Sequence, residues 1–451
     1  MERKYSIQNE RLDKEDKIDL NGDKMTEECG VFGIYKPGEG YDAANLSYLG
    51  LHALQHRGQE SAGICVNKEG KLDLFKDMGF VNNVFDDQIL DSLEGDMAIG
   101  HVRYSTTGSS KSVNAQPLLT NSIKGELALA HNGNLVNGQH LRDKLEGLGS
   151  IFHSDLDTEV IAHLVSRSLK NEMIEALKQS LSQLKGAFSL VALTSDSLVA
   201  IRDPHGFRPL SLGKIGDGYV VASESCAFDV IGAEYIRDIE PGEMIVINED
   251  GVESFRYTEK KPHKFCVFEF IYFARPDSVI GGENVHFARR KLGRQLARES
   301  EVEADLIIPV PSSGISAALG YAEESGIPYE RGILRNKYVG RTFIQPTQRI
   351  RDLKVRLKLN PIRDIIDGKK VQPHETYERL EFLGDAVLDL IVTEIIFEKY
   401  PVANEGFMTK LRAKVVRGKT LAHLAKQMKI NEVMEIGDRA SGQGIDISKS
   451  V

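Results

Sequence analysis

The 451-residue chain has no tryptophan, four cysteines and an aromatic share of only 7%. The four thiols, Cys29, Cys65, Cys226 and Cys266, show no paired spacing, so the chain does not read as a disulfide framework and a reducing compartment is expected. No apolar run reaches membrane-spanning length, and residues 1–28 mix both charge signs without an apolar core. Those two absences leave no spanning helix and no secretory signal to read, and the expected location is the cytoplasm. Charge of one sign is in only modest excess, 57 Lys and Arg against 66 Asp and Glu for a net −9. That balance argues against broad non-specific nucleic-acid binding, while a local basic patch stays open. There is no internal repeat and no low-complexity segment. A hydrophobic share of 41% over this length is enough for two or three domains with a substantial core.

What is present begins at Cys29, in the small-residue run Glu28-Cys29-Gly30-Val31-Phe32-Gly33 behind a short charged leader. Removal of residues 1–28 would make Cys29 the N-terminus; Met25 is an alternative start that leaves a leader of a few residues. A terminal thiol whose own α-amine has a pKa of about 7.7 to 8.0 carries its general base with it. A lone Cys opening a strand would read as a buried structural residue, but Cys29 has company. His131-Asn132-Gly133-Asn134 offers a side-chain amide and a backbone N–H, the donor pair an oxyanion needs. Arg103, in His101-Val102-Arg103-Tyr104, offers a fork for an α-carboxylate. Asp157, in Ser154-Asp155-Leu156-Asp157-Thr158-Glu159, suits an α-ammonium, with Asp155 as the alternative. The parts together describe glutamine.

With Gly50-Leu51-His52-Ala53-Leu54-Gln55-His56-Arg57-Gly58-Gln59-Glu60 and Arg202-Asp203-Pro204-His205-Gly206-Phe207-Arg208 added, residues 28–371 resemble amidophosphoribosyltransferases, beginning with their class II glutaminase domain. The resemblance implies an α/β and α+β fold class. A leader at 1–28 would precede an N-terminal-nucleophile αββα glutaminase sandwich at 29–262 and a partial phosphoribosyltransferase-type parallel sheet at 263–371. It favours Asp157 over Asp155, because Thr158-Glu159 opens the helix beside it. It also implies glutamine and phosphoribosylpyrophosphate as substrates, phosphoribosylamine for purine synthesis as product, magnesium, and a homo-oligomer. Cys266 stands where iron-sulfur members place a first ligand, yet one thiol cannot hold a four-iron cluster, so no cluster is expected. His52, His56 and His101 read as hydrogen-bonded scaffold, and Cys65 and Cys226 as small buried hydrophobes.

Beyond about Cys266 the pattern turns to alternating helix and strand. Leu306–Val310 reads as a buried strand, and Pro311-Ser312-Ser313-Gly314 as a turn into a helix whose N–H groups suit a phosphate. Arg335-Asn336-Lys337-Tyr338-Val339-Gly340-Arg341 is similar to the family's flexible loop, with Arg335, Lys337 and Arg341 facing pyrophosphate charge. The match stops at Arg363–Val371. The acidic strand and phosphate loop that should follow are absent, so transferase activity is expected to be impaired.

Instead the chain continues Glu375-Thr376-Tyr377-Glu378-Arg379-Leu380-Glu381-Phe382-Leu383-Gly384-Asp385-Ala386, which resembles ribonuclease III and implies an all-α fragment over 372–451. Glu381 and Asp385, four apart on one helix face, are an incomplete magnesium site, with double-stranded RNA as the implied partner. The family's later acidic ligands would fall past Val451, so the nuclease is expected to be inert. No Gly/Ser/Pro-rich spacer marks the junction, and the leading expectation is a rearranged or misassembled reading frame, with genuine fusion as the other.

Apolar patterning predicts strands near Met97–Arg103, Leu127–Ala130, Phe188–Leu193, Leu198–Ile201 and Tyr219–Ala222, a hairpin at Asp250-Gly251, and helices over Glu159–Leu184 and Val285–Ser300. His286, near the start of the last of these, reads as a surface or capping residue.

Overall fold

A computed structural model describes residues 29–36, 38, 41–104, 111–259, 261–300, 302–336 and 357–366. The chain divides into units Met1–Gly368 and Lys369–Val451, and the described residues all belong to the first.

Among the described residues, thirteen strands build the N-terminal part. They are β1 (Gly30–Tyr35), β2 (Ser61–Lys68), β3 (Lys71–Met78), β4 (Met97–Arg103), β5 (Leu118–Ser122), β6 (Gly125–Leu135), β7 (Gly186–Leu193), β8 (Leu198–Arg202), β9 (Ser211–Ile215), β10 (Gly218–Ala222), β11 (Glu234–Asp238), β12 (Glu243–Asn248) and β13 (Gly251–Arg256). They form a seven-stranded sheet in the order β11-β9-β10-β1-β4-β2-β3 and a six-stranded sheet in the order β13-β12-β8-β7-β6-β5. Every pairing in the two is antiparallel. The expected strands lie where the alternation placed them, and Asn248 faces Gly251 at the close of the β12–β13 hairpin.

Apolar side chains fill three layers. Val31, Ile99, Ala130, Val191 and Ile245 pack between the sheets. Phe32, Ile64 and Val102 face the outer layer made by α1 (Ala43–Ala53), α2 (Val81–Val84), α3 (Asp87–Ser92) and α7 (Cys226–Ile231), whereas Leu129, Phe188 and Ile201 face α4 (Gly138–Gly147), α5 (Asp157–Arg167) and α6 (Met173–Leu181). Successive side chains on a strand point to opposite faces, so Val31 and Phe32 enter different layers of this αββα sandwich.

Helix ends follow their sequence signals. Asp42 caps α1 by accepting from Ala44 N at 2.8 Å and Asn45 N at 3.3 Å. The single helix expected over Glu159–Leu184 is two helices. The chain leaves α5 at Ser168, whose hydroxyl accepts from Lys170 N at 3.1 Å, and re-enters a helix at Met173. A local side-chain acceptor offers the backbone an exit that apolar periodicity does not register.

After the sandwich come α8 (Val285–Glu299) and α9 (Gly314–Ser325), packed together, with His286 Nδ1 2.8 Å from Ser316 Oγ. Leu306–Val310, expected as a buried strand, is held among the described residues by one parallel bridge, Ile307 to Tyr329, and Val310 is 62% exposed. A strand is buried by its neighbours, and a single bridge at Ile307 cannot cover Val310.

Candidate active site

The end of β1 where Cys29 sits is fixed by register. Gly30 pairs with Val102 and Val31 with His101, which places Cys29 beside Arg103 and Tyr104 at the exit of β4. The Cys29 thiol is buried and donates to the Tyr104 carbonyl at 3.5 Å. Its own carbonyl accepts from Arg57 Nε at 3.2 Å. Arg57 reaches that point from the turn after α1, which lies against β4: a Cβ on Gly58 would stand 2.5 Å from the Val102 carbonyl carbon. Only glycine permits so close a backbone approach.

The second sheet meets this end through histidines. His101 Nε2, on β4, lies 3.0 Å from the His131 carbonyl on β6. A carbonyl can only accept, so His101 is the Nε2–H tautomer. Burial, reinforced by the Arg103 charge, pulls its pKa down to about 3 and keeps the ring neutral. His131 N in turn donates to Gln116 Oε1 at 2.8 Å. This bridge brings the residue after His131, Asn132, to the same end of the sandwich as Cys29.

Asn132 is fully buried, and neither its Oδ1 nor its Nδ2 has a hydrogen-bond partner among the described residues. An unpaired buried amide costs about 1–3 kcal/mol, so the side chain is stable there at a cost that a bound polar ligand would relieve. Gly133 has φ +147°, and a Cβ on it would come within 2.1 Å of the Ala187 carbonyl oxygen on β7. The position after Asn132 on β6, packed against β7, therefore requires glycine.

Asp157, the first residue of α5, straddles this pair. Its Oδ1 is 3.1 Å from His131 Nδ1 and its Oδ2 accepts from Leu135 N at 2.9 Å. Burial alone would raise the Asp157 pKa; the His131 ring and hydrogen bonds from His131, Leu135 N and Thr158 N outweigh it and hold the carboxyl below its usual value. Asp155 is exposed and bonded to Asn114 instead, its N donating to Asn114 Oδ1 at 3.1 Å. Because Asp157 is depressed in the folded state, its contribution is present above the unfolded value of about 3.9 and is lost as pH falls through the folded one. Asp157→Asn is accordingly expected to lower stability by about 1.5–3 kcal/mol at pH 7, the worth of a hydrogen bond to a charged group. Denaturant unfolding should show that gap narrowing below about pH 4.

Arg103 is buried at the end of β4, with Nη1 4.0 Å from Glu60 Oε2. In the second half, Arg335 closes β16 (Ile333–Arg335), following the short strands β14 (Val279–Ile280) and β15 (Glu283–Asn284). Arg335 is exposed, and its Nη1 donates to Ser312 Oγ at 3.1 Å. The turn and the loop cation read separately from sequence thus meet. Lys337, Arg341, Glu381 and Asp385 lie outside the described residues. Cys65 and Cys226 are buried thiols, and Cys266 is half-buried. Sequence reasoning did not single out His131, Arg57, Glu224 or Glu269. His131 and Arg57 stood inside the quoted motifs; the two glutamates carried no local signal. Among the described residues no group of three or more His, Cys, Asp or Glu is placed to hold a metal, and no helix is long and apolar enough to cross a membrane.

A two-sheet sandwich with a strand-opening Cys, a buried Asn amide without a partner among the described residues and a required Gly at one end defines the glutamine amidotransferases of the N-terminal-nucleophile class. Comparison with known proteins agrees. Residues 101–230 match a glutamine amidotransferase domain family and residues 378–444 a ribonuclease III domain family. The chain is 52% identical over 348 residues to amidophosphoribosyltransferase of Bacillus subtilis strain 168, covering 77% of this chain and 72% of that protein. It is 50% identical over 354 residues to amidophosphoribosyltransferase of Staphylococcus aureus strain MRSA252, covering 78% and 71%. The solved glutamine phosphoribosylpyrophosphate amidotransferase of B. subtilis, complexed with ADP and GMP, superposes with a TM-score of 0.71 at 52% identity over 76% of this chain and 74% of that one. The chain belongs to the amidophosphoribosyltransferase family.

Proposed function

We propose that the chain hydrolyses glutamine at Cys29 once residue 29 is the N-terminus. The thiol gives its proton to the residue's own α-amine and attacks the carboxamide carbon. Asn132 Nδ2 and Gly133 N–H take up the charge on the tetrahedral oxygen. The amine then returns the proton to the departing nitrogen, ammonia leaves, and a thioester remains. Water cleaves it to glutamate and restores the thiol. Arg103 would hold the substrate α-carboxylate, and Asp157 the α-ammonium through oxygen lone pairs that its bonds to His131 and Leu135 leave over. The observation that carries this reading is the buried Asn132 amide without a partner among the described residues, on the strand that His101 ties to the Cys29 strand.

In the intact family the ammonia goes to phosphoribosylpyrophosphate with magnesium. Here Arg335, Lys337 and Arg341 would meet the pyrophosphate, while residues 378–444 follow the ribonuclease III pattern instead. Purified chain given glutamine, phosphoribosylpyrophosphate and magnesium is expected to release glutamate and ammonia in equal amounts and no pyrophosphate. Absence of glutamate release would end the reading; pyrophosphate release would overturn the impaired second half. The ribonuclease III match favours a second reading for the tail, in which Glu381 and Asp385 contribute to a magnesium site on double-stranded RNA. A homo-oligomeric assembly and a cytoplasmic location complete the proposal.

A further inference from the structure

We propose that Glu269 is a positioning residue for Cys29, acting through Arg57, so that glutamine cleavage depends on the placement of the segment that opens the second half. This rests on Cys29 being the nucleophile. The Arg57 guanidinium is buried, and among its partners in the described residues are three groups. Nε donates to the Cys29 carbonyl at 3.2 Å, Nη1 donates to Glu224 Oε1 and to Glu269 Oε2 at 3.0 Å, and Nη2 donates to Glu269 Oε1 at 2.7 Å. Glu224 and Glu269 are both fully buried.

Glu224 follows β10 and belongs to the sandwich. Glu269 does not. It opens a five-residue turn, Glu269–Phe273, and the carbonyls of Phe270 and Ala274 accept from Arg289 Nε at 2.5 Å and Nη2 at 2.9 Å. Arg289 lies on α8. A continuous line of buried hydrogen bonds therefore runs from α8 through Arg289, the turn, Glu269 and Arg57 to the backbone of the residue that does the chemistry.

The line matters because of what a terminal residue lacks. With no peptide bond before it, Cys29 has nothing upstream to fix its φ, and its amine and thiol are both carried on the one α-carbon. Its downstream carbonyl then sets the direction from which both groups approach the substrate. Arg57 pins that carbonyl, and Arg57 is aimed by a bidentate carboxylate from outside the sandwich. Misplacing a reacting group by about 1 Å can cost about 10²-fold in rate.

Glu269→Gln in the full chain loses the charge and one of the two accepting oxygens. Its kcat for glutamine hydrolysis is expected to fall about 10-fold or more, with KM within about 2-fold, since neither residue touches glutamine. Alkylation of Cys29 by an electrophilic glutamine analogue should slow in parallel, while alkylation by iodoacetamide, which needs no orientation, should not. Glu269→Asp should recover part of the loss. Arg289→Lys, which loosens the turn without cutting the buried ion pair, should shift kcat in the same direction by a smaller factor. If Glu269→Gln does not fold, Glu269→Asp and Arg289→Lys decide. Unchanged kcat in the folded variants, or equal slowing with both alkylating reagents, would overturn the proposal. Cys29→Ala run alongside separates the two ideas. An active Cys29→Ala defeats the assignment of the nucleophile and this inference with it. An inactive Cys29→Ala beside normal Glu269 and Arg289 variants defeats this inference alone.

Discussion

Alanine at position 29 is expected to lower kcat for glutamine hydrolysis by about 10⁴-fold or more, the scale seen when a covalent nucleophile is removed outright. Neither buried thiol of the sandwich can take over. Cys65 lies between the two sheets, where burial pushes its pKa up to about 12, and Cys226 lies under the outer helices, where burial and the neighbouring Glu224 push it higher still. Both stay protonated at neutral pH and out of reach of a substrate. Glutamine binding, by contrast, should survive in Cys29→Ala, because the groups assigned to the amino-acid end, Arg103 and Asp157, are untouched. The check is a coupled ammonia assay on wild type and variant, with glutamine binding followed by calorimetry. Residual turnover above about a hundredth of wild type would remove Cys29 from the mechanism, since alternative routes rarely recover so much. The thermal midpoint should move by only a few degrees, because the substitution trades one small buried side chain for another.

Much of the sandwich was readable from the chain because its strands alternate cleanly between two buried faces. The β12–β13 hairpin was visible for a different reason, since β13 is largely exposed: Asp250-Gly251 marked the turn, and Gly251, at φ +114°, faces Asn248 at its close. Cys29, Asn132, Gly133, Arg103 and Asp157 were singled out as members of motifs, each with a chemical part assigned to it. What sequence could not show is how those parts are held. Glu224 and Glu269 converge on Arg57 from 167 and 212 residues away, a separation at which no local pattern survives. The Asp157 carboxylate was assigned to an ammonium, and in the structure it also fixes His131 and Leu135 N, so it shapes the strand that carries Asn132. The break between α5 and α6 was missed because apolar spacing on either side of Ser168 stays in phase. Leu306–Val310 has the composition of a buried strand, and its burial depends on neighbours that its own residues do not encode.

The Asn132→Ala variant should separate catalysis from stability in a way few buried substitutions do. Loss of a single oxyanion donor costs about 10²–10³ in kcat, and KM should stay within a few-fold because the donor matters most when charge develops. Stability should move the other way or not at all. A typical buried Asn is bonded, and its removal strands a partner; here both amide atoms lack a partner among the described residues, so deletion relieves a desolvation cost of about 1–3 kcal/mol and leaves only a small cavity against it. Chemical denaturation of the two proteins would therefore give equal or higher stability for Asn132→Ala alongside a nearly inactive enzyme. A marked loss of stability with activity retained would mean that Asn132 is a structural residue and that the oxyanion is held elsewhere. Gly133→Ala makes the complementary case. Its φ of +147° and the 2.1 Å approach of a Cβ to the Ala187 carbonyl oxygen force β6 away from β7, so activity and stability are expected to fall together.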